Sequence, residues 1–172
     1  MPKPHRKSLF LAASACLLLS ATVAQAGLSI RFIEGAPKDR FQIENTGSCD
    51  ITAATLRLDL SSSQGALIFD VTSTGAGVEV FQPFELVEGQ EALASVPAVV
   101  DGQNTLDLAV DRLKPGAAIG FTIDVDDTIG TRQITVTGSE IEGAKVSITQ
   151  GAEVTAATFN GKARAELQTT GC

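Results

Sequence analysis

The residues best equipped to do chemistry in this chain are carboxylates, and they fall in three groups. Ile123-Asp124-Val125-Asp126-Asp127-Thr128 puts Asp124 and Asp126 two residues apart, on one face if the segment is a strand, with Asp127 leading into the following turn. Glu34-Gly35-Ala36-Pro37-Lys38-Asp39-Arg40 is an acidic loop, and Asp70 interrupts the otherwise apolar Leu67-Ile68-Phe69-Asp70-Val71. Like charges on one strand face repel unless they are solvated or bridged by a cation. Hard oxygen donors from a strand end and nearby loops suit Ca²⁺, which takes six to eight of them. The expected Ca²⁺ ligands are Glu34, Asp39, Asp124, Asp126 and Asp127. No stretch fits the EF-hand loop, and the competing expectation is an acidic, solvated edge that discourages strand-to-strand aggregation.

Other chemistries are narrowed by what the chain lacks. Residues 1–26 have the three parts of a secretory leader: basic Lys3, Arg6 and Lys7, an apolar run from Leu9 to Leu19, and Ala24-Gln25-Ala26 before a cut at Gly27. The run is shorter than a membrane span requires. Ala13-Ser14-Ala15-Cys16 resembles a lipoprotein box only weakly, because the apolar run continues past it. Cutting the 26-residue leader from a chain of 172 residues leaves 146, with all 20 acidic side chains and 10 of the 13 basic ones. The only His and the only Met, His5 and Met1, leave with the leader, and the chain has no Trp or Tyr.

A mature chain without His has no Ser-His-Asp triad and none of the usual His-supported zinc sites. Sugar-cleaving carboxylate pairs lean on aromatic platforms that are missing here, and the lysines expected in or beside turns make a Ser-Lys pair a poor base for catalysis. A mature charge of −10 repels nucleic acid. The expectation is a protein that is not an enzyme, is exported to the periplasm or the cell exterior, and is not inserted in a membrane after cleavage.

The elements that must position these carboxylates show period two rather than 3.6. Leu28, Ile30 and Phe32 alternate with polar neighbours, as do Phe41 with Ile43, and Leu56 with Leu58 and Leu60. Further runs rich in Val, Ile, Leu, Phe and Thr cover 66–71, 77–81, 105–110, 119–126, 132–137, 144–149, 153–159 and 162–167, with Gly-, Pro- and Asn-containing turns between them. Asn160-Gly161, two residues wide between such runs, predicts a tight hairpin joining the last two strands. Residues 85–103 are the least periodic and read as a long acidic connection that can carry an edge strand. About ten short strands and no helix of three turns predict one antiparallel β-sandwich domain over 27–172, with a closed β-barrel as the alternative. Cys49 and Cys172, the two cysteines beyond the leader, predict a disulfide in an oxidising compartment, with two free thiols as the alternative.

The stretches 30–41, 67–71, 77–85 and 122–128 resemble a family of small exported bacterial β proteins labelled aggregation factor core proteins. The resemblance implies a cell-surface or extracellular β protein and a theme of Ca²⁺-dependent adhesion, and it brings no active-site residues. Together these readings lead to the expectation of an adhesion or binding module whose partner is a protein or glycan on a cell surface, or a second copy of itself. The alternative is a structural protein of the envelope or matrix with no specific ligand.

Overall fold

The computed structural model describes residues 26–75, 81–129 and 135–169. Among the described residues, ten strands and one short 3₁₀ turn form two antiparallel sheets facing each other across a common core. This is the expected β-sandwich, with one sheet curled into a half-barrel and no closed barrel.

The curled sheet contains β1 (Ala26–Ile33), β2 (Asp39–Asn45), β7 (Ala118–Asp126) and β10 (Arg164–Thr169), in the order β10-β1-β2-β7. Two short strands, β4 (Ile68–Asp70) and β5 (Glu85–Glu88), pair with successive stretches of β7. The alternating pattern explains these strands. Leu28, Ile30, Phe41, Ile43, Ile119, Phe121, Ile123 and Val125 are all buried, and the register sets Phe32 beside Phe41, Phe41 beside Phe121 and Ile43 beside Ile119. Phe41 and Phe121 stack with ring centroids 5.1 Å apart, and Phe69 of β4 meets Phe41 edge-on at 6.4 Å. Each such side chain, moved from water into the core, contributes about 1.5–3 kcal/mol.

The second sheet runs β6-β3-β8-β9, built from β3 (Ile51–Asp59), β6 (Thr105–Leu113), β8 (Lys145–Gln150) and β9 (Glu153–Thr158). Leu56 and Leu58 of β3 sit between Leu108 and Leu106 on one side and Ile148 and Val146 on the other. All six are buried against the curled sheet. The connection over 85–103 does carry an edge strand, β5. It then makes the 3₁₀ turn Gln90–Ala92 and a bridge from Leu93 to Val110.

The Asn160-Gly161 hairpin is a correction. β9 pairs with β8 and β10 pairs with β1, so the chain crosses from one sheet to the other between them. The crossing is a wider corner. Asn160 Oδ1 accepts the N–H groups of Lys162 and Arg164, Ala163 has the positive φ of 56°, and the Ala163 carbonyl accepts the N–H of Phe32. Burial of Phe159, Ala163, Ala165 and Leu167 against both sheets outweighs the local turn preference. The runs expected over 77–81 and 132–137 fall largely outside the described residues, as do the leader and Cys172.

Candidate metal centre

β1 and β7 each pair antiparallel with β2 and are therefore parallel to each other. The acidic loop after β1 and the turn after Asp126 consequently lie at the same end of the curled sheet. β4 runs antiparallel to β7 at that end, with Asp70 directly across from Asp124 and Ile68 across from Asp126. One carboxylate oxygen from each of Asp70, Asp124 and Asp126 lies within 4.8 Å of the other two. Oxygens bound to a single Ca²⁺ at 2.3–2.6 Å stand no more than about 5 Å apart, so the spacing fits one ion. The donor set is all hard oxygen, without the nitrogen or sulfur that zinc prefers.

Burial shows whether these carboxylates form a solvated edge. Among the described residues seven polar side chains are buried, and five of them are the aspartates at this end: Asp39, Asp70, Asp124, Asp126 and Asp127. The other two are satisfied. Asn45 donates to the carbonyls of Cys49 and Leu113 and accepts the Gly47 N–H, while Ser63 donates to the Leu60 carbonyl and accepts the Leu67 N–H. Asp70 is 0% exposed, yet neither of its oxygens has a hydrogen-bond donor, and Asp124 Oδ2 has none either. The neighbouring Asp101 carboxylate offers Asp70 a partner only if one of the two carries a proton. A buried, ionised, unpaired carboxylate costs several kcal/mol, so the solvated-edge expectation does not describe these residues.

The titration of the group reflects that cost. Burial, followed by the Asp101 and Asp126 carboxylates, raises Asp70 from 3.8 to about 7. Burial, Asp126 and Asp70 raise Asp124 to about 7. Asp39 is also raised to about 7, chiefly by burial and then by Asp124 and Asp126, against the lowering effect of the Gly35 and Val125 backbone N–H groups. Among the described residues, the groups acting most on these three aspartates include no Lys or Arg.

The local sequence explains the positioning. In β7, Ile123 and Val125 take the core face, leaving Asp124 and Asp126 together on the other. The Gln82 carbonyl accepts the Asp124 N–H and helps to cover that face. Asp39 Oδ1 accepts the Gly35 N–H at 3.0 Å, drawing the loop tight; a Cβ on Gly35 would collide with the Lys38 carbonyl, so only glycine fits. The structure thus brings together three expected residues, Asp39, Asp124 and Asp126, with Asp127 buried next in sequence. Glu34 is separate: it is exposed, and its Oε2 accepts the N–H of Gly138. Asp70 completes the close trio although it was not among the expected ligands. Its signal in the sequence was a carboxylate inside an apolar strand.

No protein-family model, curated protein or solved structure matches the chain. Among the described residues no helix is long and apolar enough to cross a membrane.

Proposed function

We propose that this protein is an exported, Ca²⁺-binding β-sandwich that acts as an adhesion or binding module on the cell surface or outside the cell, without enzymatic activity. The observation that carries the reading is the buried trio Asp70, Asp124 and Asp126, whose oxygens are spaced for one ion while Asp70 lacks a donor. Asp39 and Asp127 are the carboxylates from which further ligands would come. The bound ion would neutralise carboxylates that otherwise repel one another, and it would fasten β4 and β7 at one end of the sandwich. The secretory pattern of residues 1–26 and the resemblance to the aggregation factor core family support export and adhesion. The partner class is a protein or glycan of a cell surface, or a second copy of the chain.

Two measurements test this reading. Melting of the mature protein in Ca²⁺ and in EDTA should differ. A ligand bound only by the native state at a hundred times its Kd stabilises it by about 2.7 kcal/mol. Sedimentation velocity should then show association that appears with Ca²⁺ and is lost in EDTA. Equal melting in the two buffers would remove the cation site. A cation-dependent melt without any Ca²⁺-dependent binding to itself or to cell-surface material would remove the adhesion role.

A further inference from the structure

β4 is a strand of only three residues, and its attachment differs in kind from that of the longer strands. On one side it pairs with β7 over Ile68–Asp126, Phe69–Val125 and Asp70–Asp124. On the other it is held by two backbone bonds, Phe69 N–H to the Gln103 carbonyl at 2.8 Å and Gly102 N–H to the Phe69 carbonyl at 2.9 Å. Just beyond it, the N–H groups of Val71 and Thr72 both donate to Asp101 Oδ1, at 3.0 and 3.3 Å. The only large side chain that β4 places fully in the core is Phe69. Against these few contacts stands a buried carboxylate, Asp70, opposite a second, Asp124, with Asp126 and Asp101 beside it. Like charges directly opposed across an antiparallel pair push the strands apart, and the loss of water from around them strengthens the repulsion.

Val71 and Thr72, which follow Asp70, form one wall of an open groove of about 340 Å³ whose other walls are Pro83, Phe84, Pro97 and Val99. We infer that cation binding and the docking of β4 on β7 are a single event, so that the Val71–Thr72 wall of this groove is formed in the cation-loaded protein and released without the cation. The inference rests on the proposed Ca²⁺ site and adds its regulation: the ion governs the docking of β4 and the groove beside it, while the other pairings of the sandwich form with or without it. The long pairings β1–β2 and β3–β6, which join no carboxylate of the trio, provide the internal reference.

Amide hydrogen exchange of the full mature protein at pH 8, with CaCl₂ or with EDTA, tests this. In EDTA the amides of Phe69, Val71, Thr72 and Gly102 should exchange by local opening, far faster than those of Ile30, Ile43 and Leu56, and with Ca²⁺ they should slow roughly tenfold or more. Asp70→Asn keeps the shape and removes the charge. In that variant β4 should be protected in EDTA, and Ca²⁺ should add nothing. If calorimetry shows Ca²⁺ binding but β4 is equally protected in both buffers, or if β4 in EDTA is already as protected as Ile30, Ile43 and Leu56, the coupling is wrong while the site stands. If no Ca²⁺ binds at all, the site and the coupling fall together.

Discussion

Opposite pH dependence of stability in the presence and absence of Ca²⁺ is the sharpest consequence of burying these aspartates together. In cation-free protein Asp70 titrates near 7 in the fold and near 3.8 when unfolded. Between those values the native state holds more protons, so its stability falls as pH rises. For one such group the stabilisation is full below pH 3.8 and is lost through about 7, which between pH 5 and 8 amounts to about 3 kcal/mol. Asp124 and Asp39 shift the same way and titrate with Asp70 as a set, so the figure describes the first proton rather than each of three. A change of that size moves the melting temperature of a domain this large by roughly 10 °C. At the proposed site, saturating Ca²⁺ should hold the same carboxylates ionised, depress their folded pKa values and reverse the sign, so that stability is then lost as pH falls. Asp59, held low by Ser61, and Asp107, held low by Arg57, lose their contributions only as pH falls through values below 3.8, outside this window. The assay is differential scanning calorimetry at pH 5, 6, 7 and 8 in EDTA and in CaCl₂. A melting temperature in EDTA that is flat or rises from pH 5 to 8 would refute the reasoning, because the aspartates would then be ionised in the fold without a cation.

Three further outcomes follow from the fold. Phe121→Ala removes the ring stacked on Phe41 and also packed on Phe84 at 4.9 Å, so it should cost about 3–5 kcal/mol in urea unfolding; a loss below 1 kcal/mol would mean that the core is not organised around these rings. Mature protein should carry a Cys49–Cys172 disulfide, seen as a mass two hydrogens below the reduced chain; Gly27 pairs with Gln168 and accepts the Thr46 N–H, which sets the end of β10 beside the turn holding Cys49. Finding two alkylatable thiols in the native protein would contradict it. Intact mass of exported material should correspond to a chain starting at Gly27, and a lipid-bearing species starting at Cys16 would contradict that.

Much of the sandwich was legible in the sequence, for a local reason. Alternation at Leu28-Ile30-Phe32, Phe41-Ile43 and Ile119-Phe121-Ile123-Val125 marks a strand with one apolar core face, whatever its partner. Partner choice is a long-range property and was not legible. Asp70 and Asp124 are brought face to face only by the antiparallel register of β4 on β7, which neither segment encodes alone. The pairing of both β1 and β7 with β2, which brings the acidic loop to the aspartate end of β7, was not legible either; of that loop's carboxylates, Asp39 turns toward the aspartates and Glu34 caps the backbone at Gly138. Asn160-Gly161 carries a strong local hairpin signal, and it was overruled because β1 needed an edge partner that buries Ala165 and Leu167.

Isothermal titration of the mature protein with CaCl₂ at pH 8 tests the central claim most directly. Wild type should bind one Ca²⁺ per chain, and Asp70→Asn and Asp124→Asn should each weaken binding at least tenfold while Glu34→Gln leaves it unchanged. Absence of a binding isotherm in wild type, or equal affinity in wild type and both aspartate variants, would contradict the account.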